Sequence, residues 1–194
     1  MHRAKTLTVI GQDPSLRNWG LAKATYCLET KQLHVEKLEL VNPVLPTGKQ
    51  ARQNSLDLES SLQLYRQALA FSQGAHTVFV EVPVGSQSAR AMASYGICVG
   101  VLGSLRASGI PFIEVTPTEV KLAGPGKKTA TKIEMISWAM ASHPEAQWPM
   151  YRQNGVDLVS EAKAEHLADA VAAIHAGIAG NTFQQMLPLL AARS

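Results

Sequence analysis

Apolar, β-branched residues over positions 6–12 end at Asp13-Pro14, and an extended pattern resumes over 19–28 after a short turn. This predicts a hairpin with an acid at its corner. Residues 32–41 alternate well enough for a third strand of an antiparallel meander, closed by Asn42-Pro43 and Pro46-Thr47-Gly48. Between 50 and 73, Leu56, Leu62, Leu64, Leu69 and Phe71 recur among polar positions, the spacing of one long amphipathic helix that Gly74 ends. The continuous apolar run over 77–82 predicts a strand buried on both faces, with Glu81 near its end. Ser88 can cap a helix reaching Ala107, and its Ala89, Ala91, Ala93, Gly96 and Gly100 suit a close interface. A last strand over 111–115 precedes a short helix near 118–123, a Gly124-Pro125-Gly126 loop and a helix from about 129 to 142. Residues 143–160 hold Pro144, Trp148, Pro149 and Gly155 without periodicity and read as a flap. Ser160 caps a final helix over 161–178, and in the tail 180–194 the weakly amphipathic stretch 182–192 reads as a short packing helix. The order βββαβαβα predicts a single α/β domain spanning 1–194.

Composition agrees with one core. The chain has 194 residues, 46% hydrophobic and 17% charged, enough for one buried interior but not for two ordinary domains. The longest mostly apolar stretch, 97–105, is broken by Gly100, Gly103 and Ser104, which speaks against a bilayer-spanning helix. The basic start, Met1-His2-Arg3-Ala4-Lys5, leads into a strand rather than a secretory signal core. Cys27 and Cys98 lie in apolar segments without disulfide or metal-ligand spacing, so they read as buried free thiols, and the protein as cytoplasmic. A net charge of +3 permits nucleic-acid binding without demanding it.

Three acids stand apart from the solvated majority. Asp13 before Pro14 is, alone, a turn former whose carboxylate accepts local N–H bonds. Glu81 sits inside Val78-Phe79-Val80-Glu81-Val82, where desolvation demands a cation or donor, either a structural ion pair or a ligand. Asp169 interrupts a small apolar surface, 167–174, so it points inward; His166 and Glu165 precede it by three and four residues and can share its face. His166 alone reads as an ordinary satisfied histidine. Carboxylates converging from two strand ends and a helix repel one another unless divalent cations neutralise them, and hard oxygen ligands suit Mg²⁺ or Mn²⁺. Two such ions can activate water and stabilise the leaving oxygen of a phosphodiester. Lys121, Lys127, Lys128 and Lys132 form an acid-free basic segment around the Gly-Pro-Gly turn, either a solvated loop or a phosphate-binding one; Arg90 is an additional candidate.

Several of these segments together resemble the RuvC family of Holliday-junction resolvases, within the ribonuclease-H-like superfamily. Residues 9–20, from Val9-Ile10-Gly11 through Asp13-Pro14 to Trp19-Gly20, resemble the family's first strand, acidic corner and closing glycine. Val80-Glu81-Val82, with Gly96 and Gly100 in the following helix, resembles its second motif. Val120-Lys121 and Lys132 resemble its two basic positions, and His166-Leu167-Ala168-Asp169-Ala170 its closing helix motif, in which the first position is Asp in some members and His in others. The likeness runs from about residue 6 to 178. It departs at Val84, where the family often places an aromatic that wedges into the junction, and between Lys132 and His166, where this chain is longer and carries Trp148.

The resemblance implies a ribonuclease-H-like α/β fold, a mixed five-stranded sheet with helices on both faces. It implies a metal-dependent endonuclease resolving four-way DNA junctions as a homodimer, the small-residue helix after Glu81 offering the interface. Asp13, Glu81 and Asp169 would hold two Mg²⁺ or Mn²⁺ ions. His166 would be a nitrogen ligand or proton carrier, and Lys121, Lys127, Lys128, Lys132 and Arg90 would bind the DNA backbone. Alternatives are a related nuclease acting on flap or other branched DNA or on an RNA–DNA hybrid, a non-catalytic junction-binding protein, and an actin-like phosphotransferase fragment, for which the chain is short.

Overall fold

The computed structural model describes residues 5–46 and 52–193. Four of the five residues of the basic N-terminus, and the Thr47-Gly48 part of the expected loop, lie outside the described residues. Strands β1 (Thr6–Asp13), β2 (Trp19–Cys27) and β3 (Leu33–Val41) form the expected meander, followed by helix α1 (Gln53–Ser72). Next come β4 (Thr77–Glu81), α2 (Ala89–Ala107), β5 (Phe112–Val115), α3 (Pro117–Ala123) and α4 (Lys132–Ser142). The sheet order is β3-β2-β1-β4-β5, antiparallel from β3 to β1 and parallel from β1 through β4 to β5. This is the expected mixed five-stranded sheet. The α4 boundary moves three residues, because Thr131 is the residue that closes a reciprocal capping box with Glu134.

The segment expected to be an irregular flap instead forms a hairpin, β6 (Met150–Gln153) and β7 (Val156–Val159), paired only with itself. The cause is local: Asn154 and Gly155 both take positive φ (50° and 79°), the two-residue turn that Asn-Gly favours. Short strands of four residues carry too little alternation to show in hydropathy alone. Helices α5 (Glu161–Ala179) and α6 (Asn181–Arg193) complete the chain; the weakly amphipathic tail forms a packing helix whose Phe183 is fully buried against Phe79 and Tyr26.

Helices cover both faces of the sheet. On one, Ile10, Trp19, Leu21, Val78 and Val80 pack against Leu64 and Ala68 of α1 and Cys98, Leu102 and Leu105 of α2. On the other, Leu7, Val9, Ala22, Ala24 and Phe79 meet Ala170, Val171 and Ile174 of α5. Each fully buried side chain of this kind contributes roughly 1.5–3 kcal/mol. Gln12, also fully buried, is satisfied on both ends: its amide donates to Ser72 Oγ (2.9 Å) and its carbonyl accepts from Trp19 Nε1 (3.1 Å). Cys98 is buried as expected; Cys27 is half-exposed, because it ends β2 where the chain turns. Among the described residues no helix is long and apolar enough to cross a membrane.

Candidate active site

Parallel pairing of β1 with β4, in register at Gln12↔Val80, brings the next residues, Asp13 and Glu81, to the same carboxyl edge of the sheet. Adjacent strands lie about 4.8 Å apart, so these two acids are neighbours by construction. Helix α5 is drawn onto β1 and β2 by two glycines. A Cβ at Gly11 would stand 1.9 Å from the Ala170 carbonyl oxygen, and one at Gly20 would stand 2.1 Å from that of His166. Because Gly20 pairs with Asp13 across the hairpin, this contact sets His166 directly over the acidic corner. His166 Nδ1 and Asp13 Oδ2 are 2.6 Å apart, 153 residues apart in sequence. Asp169, one helical turn on, shares that face.

Asp13, Glu81, His166 and Asp169 line one cleft of about 270 Å³ together with Ser15, Val84, Tyr95 and Glu165. Its electrostatics follow from crowding. Burial, then the charges of Asp13 and Asp169, push the Glu81 carboxyl up to about 8, against a smaller opposing pull from Lys121. Burial, then Asp13 and Glu165, raise Asp169 to about 7, opposed by His166 and Lys121. For His166 burial disfavours the charged ring, but the Asp13 hydrogen bond and the surrounding acids outweigh it, so its pKa is raised. The protein alone thus holds more negative charge in this cleft than it can keep ionised near neutrality.

Cations of the basic segment take distinct positions. Lys121 is half-buried and its charge reaches both Glu81 and Asp169. Lys132 pairs at 2.6 Å with Glu165 on the cleft wall. Lys127 pairs with Glu134, and Lys128 is exposed on the turn between α3 and α4. Arg90, the additional candidate contact, stays on the surface but is held in place: Asp57 of α1 grips its guanidinium through two 2.7 Å bonds. The reason is that α1 and α2 pack side by side and leave Asp57 nearly buried, where it requires a cation.

Sequence reading passed over Tyr95 and Ser15, which also wall the cleft, and the part played by Gly20. Ser15 and Gly20 belong to the acidic corner and were within reach of it; Tyr95 carried no signal, since only the packing of α2 beside that corner brings it there. A larger cavity of about 660 Å³ lies between α1 and α2, walled by Leu58, Leu62, Tyr65, Ile97 and Val101, with no titrating acid or base of the site in it.

Among the described residues no three His, Cys, Asp or Glu side chains form a ready-made coordination shell. The donor set nevertheless fits a divalent cation: three carboxylates and an imidazole in one cleft, two of the acids raised far above their ordinary range by burial and then by the charge of neighbouring acids.

No family model and no curated protein sequence matches the chain. Solved structures do. Thermus thermophilus RuvC in complex with a Holliday junction substrate matches at a TM-score of 0.60 and 19% identity, over 86% of this chain and 92% of that one. A second structure of Thermus thermophilus RuvC matches at 0.61 and 20% identity, over 94% and 97%. The chain therefore has the ribonuclease-H-like fold of RuvC, with its five strands in one mixed sheet.

Proposed function

We propose that this protein is a divalent-metal-dependent endonuclease that resolves four-way DNA junctions. The observation that carries the reading is the convergence of Asp13, Glu81, His166 and Asp169, from three separate stretches of sequence, on one cleft where burial and then neighbouring acids raise Glu81 and Asp169. The likeness to a RuvC structure solved with a Holliday junction points to branched DNA as the substrate. Two Mg²⁺ or Mn²⁺ ions would be held by Asp13, Glu81 and Asp169, with His166 as a nitrogen ligand or proton carrier. When bound, they supply Lewis acidity toward the scissile phosphate and lower the pKa of a water. Asp13 also holds the His166 ring through its 2.6 Å bond, fixing which nitrogen faces the cleft. Lys121 beside the acids, with Lys128 and Lys132 on the following turn and helix, binds phosphodiester oxygens and positions the backbone without reading bases.

Paired cuts across a junction call for two such sites related by a two-fold axis. The small-residue face of α2 supports a homodimer: Cβ atoms at Gly96, Gly100 and Gly103 would meet nothing within 4 Å, and Leu58, Met92 and Val99 are exposed on the α1–α2 side. A DNA substrate goes with a cytoplasmic location.

One observation favours a second reading. Val84 is 76% exposed at the cleft mouth, where an aromatic wedge would stand, so a flap, a fork or an RNA–DNA hybrid is the alternative substrate. The deciding experiment compares a four-way junction, a fork, a linear duplex and an RNA–DNA hybrid in Mg²⁺, in Mn²⁺ and in chelator. Junction cutting in either metal, at least as fast in Mn²⁺ because imidazole is softer than carboxylate, is the expected result. Tight junction binding with no metal-dependent cutting would instead make the protein a structural junction binder.

A further inference from the structure

The acidic cleft continues into a second trough of about 390 Å³ between the β1–β2 corner and the first turns of α2. Ser15 and Tyr95 belong to the walls of both, so the two are one surface. The chemistry changes along it. Where the cleft is lined by Asp13, Glu81, Glu165 and Asp169, the trough has Arg17, Arg90, Asn18, Ser88 and Ser94 and no carboxylate in its lining. Of its two guanidinium groups, that of Arg90 is clamped by Asp57. Arg17 is exposed and, among the described residues, makes no ion pair within 4 Å; it also lines the neighbouring cavity with Asp57, whose carboxyl its charge helps to lower, and that carboxylate is already bonded to Arg90. Arg17 follows Asp13 by four residues, so its backbone lies within about 14 Å of the acid's. It lies on the opposite side of the cleft from Lys121, the former on the β1–β2 corner and the latter on α3.

Resting on the proposed nuclease reading, we infer that this trough is a phosphodiester subsite in which Arg17 grips the DNA backbone next to the cut. The strand then crosses from the Arg17 trough, over the acidic cleft, to Lys121. The cleft's acids take the cations while the flanking basic groups take the neighbouring phosphates. A bare acidic cleft would repel a polyanion, and the flanking cations offset that repulsion on both sides. Arg17 suits the task because a guanidinium fork binds two phosphate oxygens at once. The clamped Arg90 forms a fixed wall, and the serine hydroxyls supply neutral donors.

The test compares wild type with Arg17→Gln, both checked for equal thermal melting, on junctions carrying a single neutral methylphosphonate at each phosphate near the cut. Wild type is expected to lose roughly tenfold in junction affinity at one flanking position, and Arg17→Gln to bind the unmodified junction roughly tenfold more weakly while losing nothing further at that position. The slope of log affinity against log salt should fall by about 1 in the variant. Equal sensitivity of both proteins at every flanking phosphate, or an unaltered salt slope, would overturn the inference. If wild type binds the junction but cuts nothing in any metal, the nuclease reading fails, and the binding comparison still decides for or against Arg17.

Discussion

Replacing Glu81 by Gln should stabilise the metal-free protein, an unusual outcome for a substitution inside a parallel sheet. The carboxyl stays protonated in the fold up to about 8, whereas the unfolded chain releases that proton near 4.5. Stability from this group is therefore complete below about 4.5, erodes as pH rises through the window, and is lost above about 8. Near pH 7 the deficit relative to a group that never ionises is about 3 kcal/mol. An uncharged amide of the same shape avoids it. In a domain of this size that corresponds to a melting temperature higher by roughly 6–12 °C. Thermal unfolding of wild type and Glu81→Gln in chelator, from pH 5 to 8.5, should show curves that meet at the acid end and diverge with rising pH. Adding Mg²⁺ or Mn²⁺ should raise the wild-type midpoint and leave Glu81→Gln almost unmoved, since a ligand stabilises only the state that binds it. A variant no more stable than wild type at pH 8 in chelator, or one shifted equally by metal, would refute the argument that these acids are crowded for want of a cation.

Asp13→Asn should abolish cutting while junction affinity, measured by fluorescence anisotropy, changes by less than about threefold, because the phosphate contacts lie on other residues. Gly20→Ala would set a methyl 2.1 Å from the His166 carbonyl oxygen, so α5 must move outward. The expected cost is about 1–3 kcal/mol in denaturant unfolding and roughly a hundredfold in cutting rate, with junction affinity nearly intact. A fourth prediction concerns His175, whose Nε2 lies 2.8 Å from His143 Nε2; burial, then the nearby His143, hold its pKa down to about 4. The unfolded ring protonates near 6.5, so this contribution is complete above that pH and fades as the pH falls toward 4. The difference in unfolding free energy between wild type and His175→Gln should change by up to about 3 kcal/mol across that range, and a constant difference would exclude the effect.

The acids themselves were legible in the sequence. Glu81 in a run of valines and phenylalanine and Asp169 in a run rich in alanine are placed against the local hydropathy, and such misfits demand a partner whatever the fold. The meander, both long sheet-covering helices and the final helix were likewise readable, since each carries a period of two or 3.6 over many residues. What the chain could not show by itself is distance. That Asp13 and His166 share a hydrogen bond across 153 residues depends on β1 lying between β2 and β4, and on Gly11 and Gly20 letting α5 settle on the sheet. Ion pairing depends on it too: the packing of α1 on α2 puts Asp57 against Arg90, whereas Arg17, unremarked as a cation, lines the same cavity without a direct bond to that carboxylate. The hairpin 150–159 was missed for a different reason, because its four-residue strands are almost wholly exposed and only the Asn154-Gly155 turn marked it. Local pattern records whether a residue meets water or protein; which protein group it meets is settled only when segments far apart in the chain pack together.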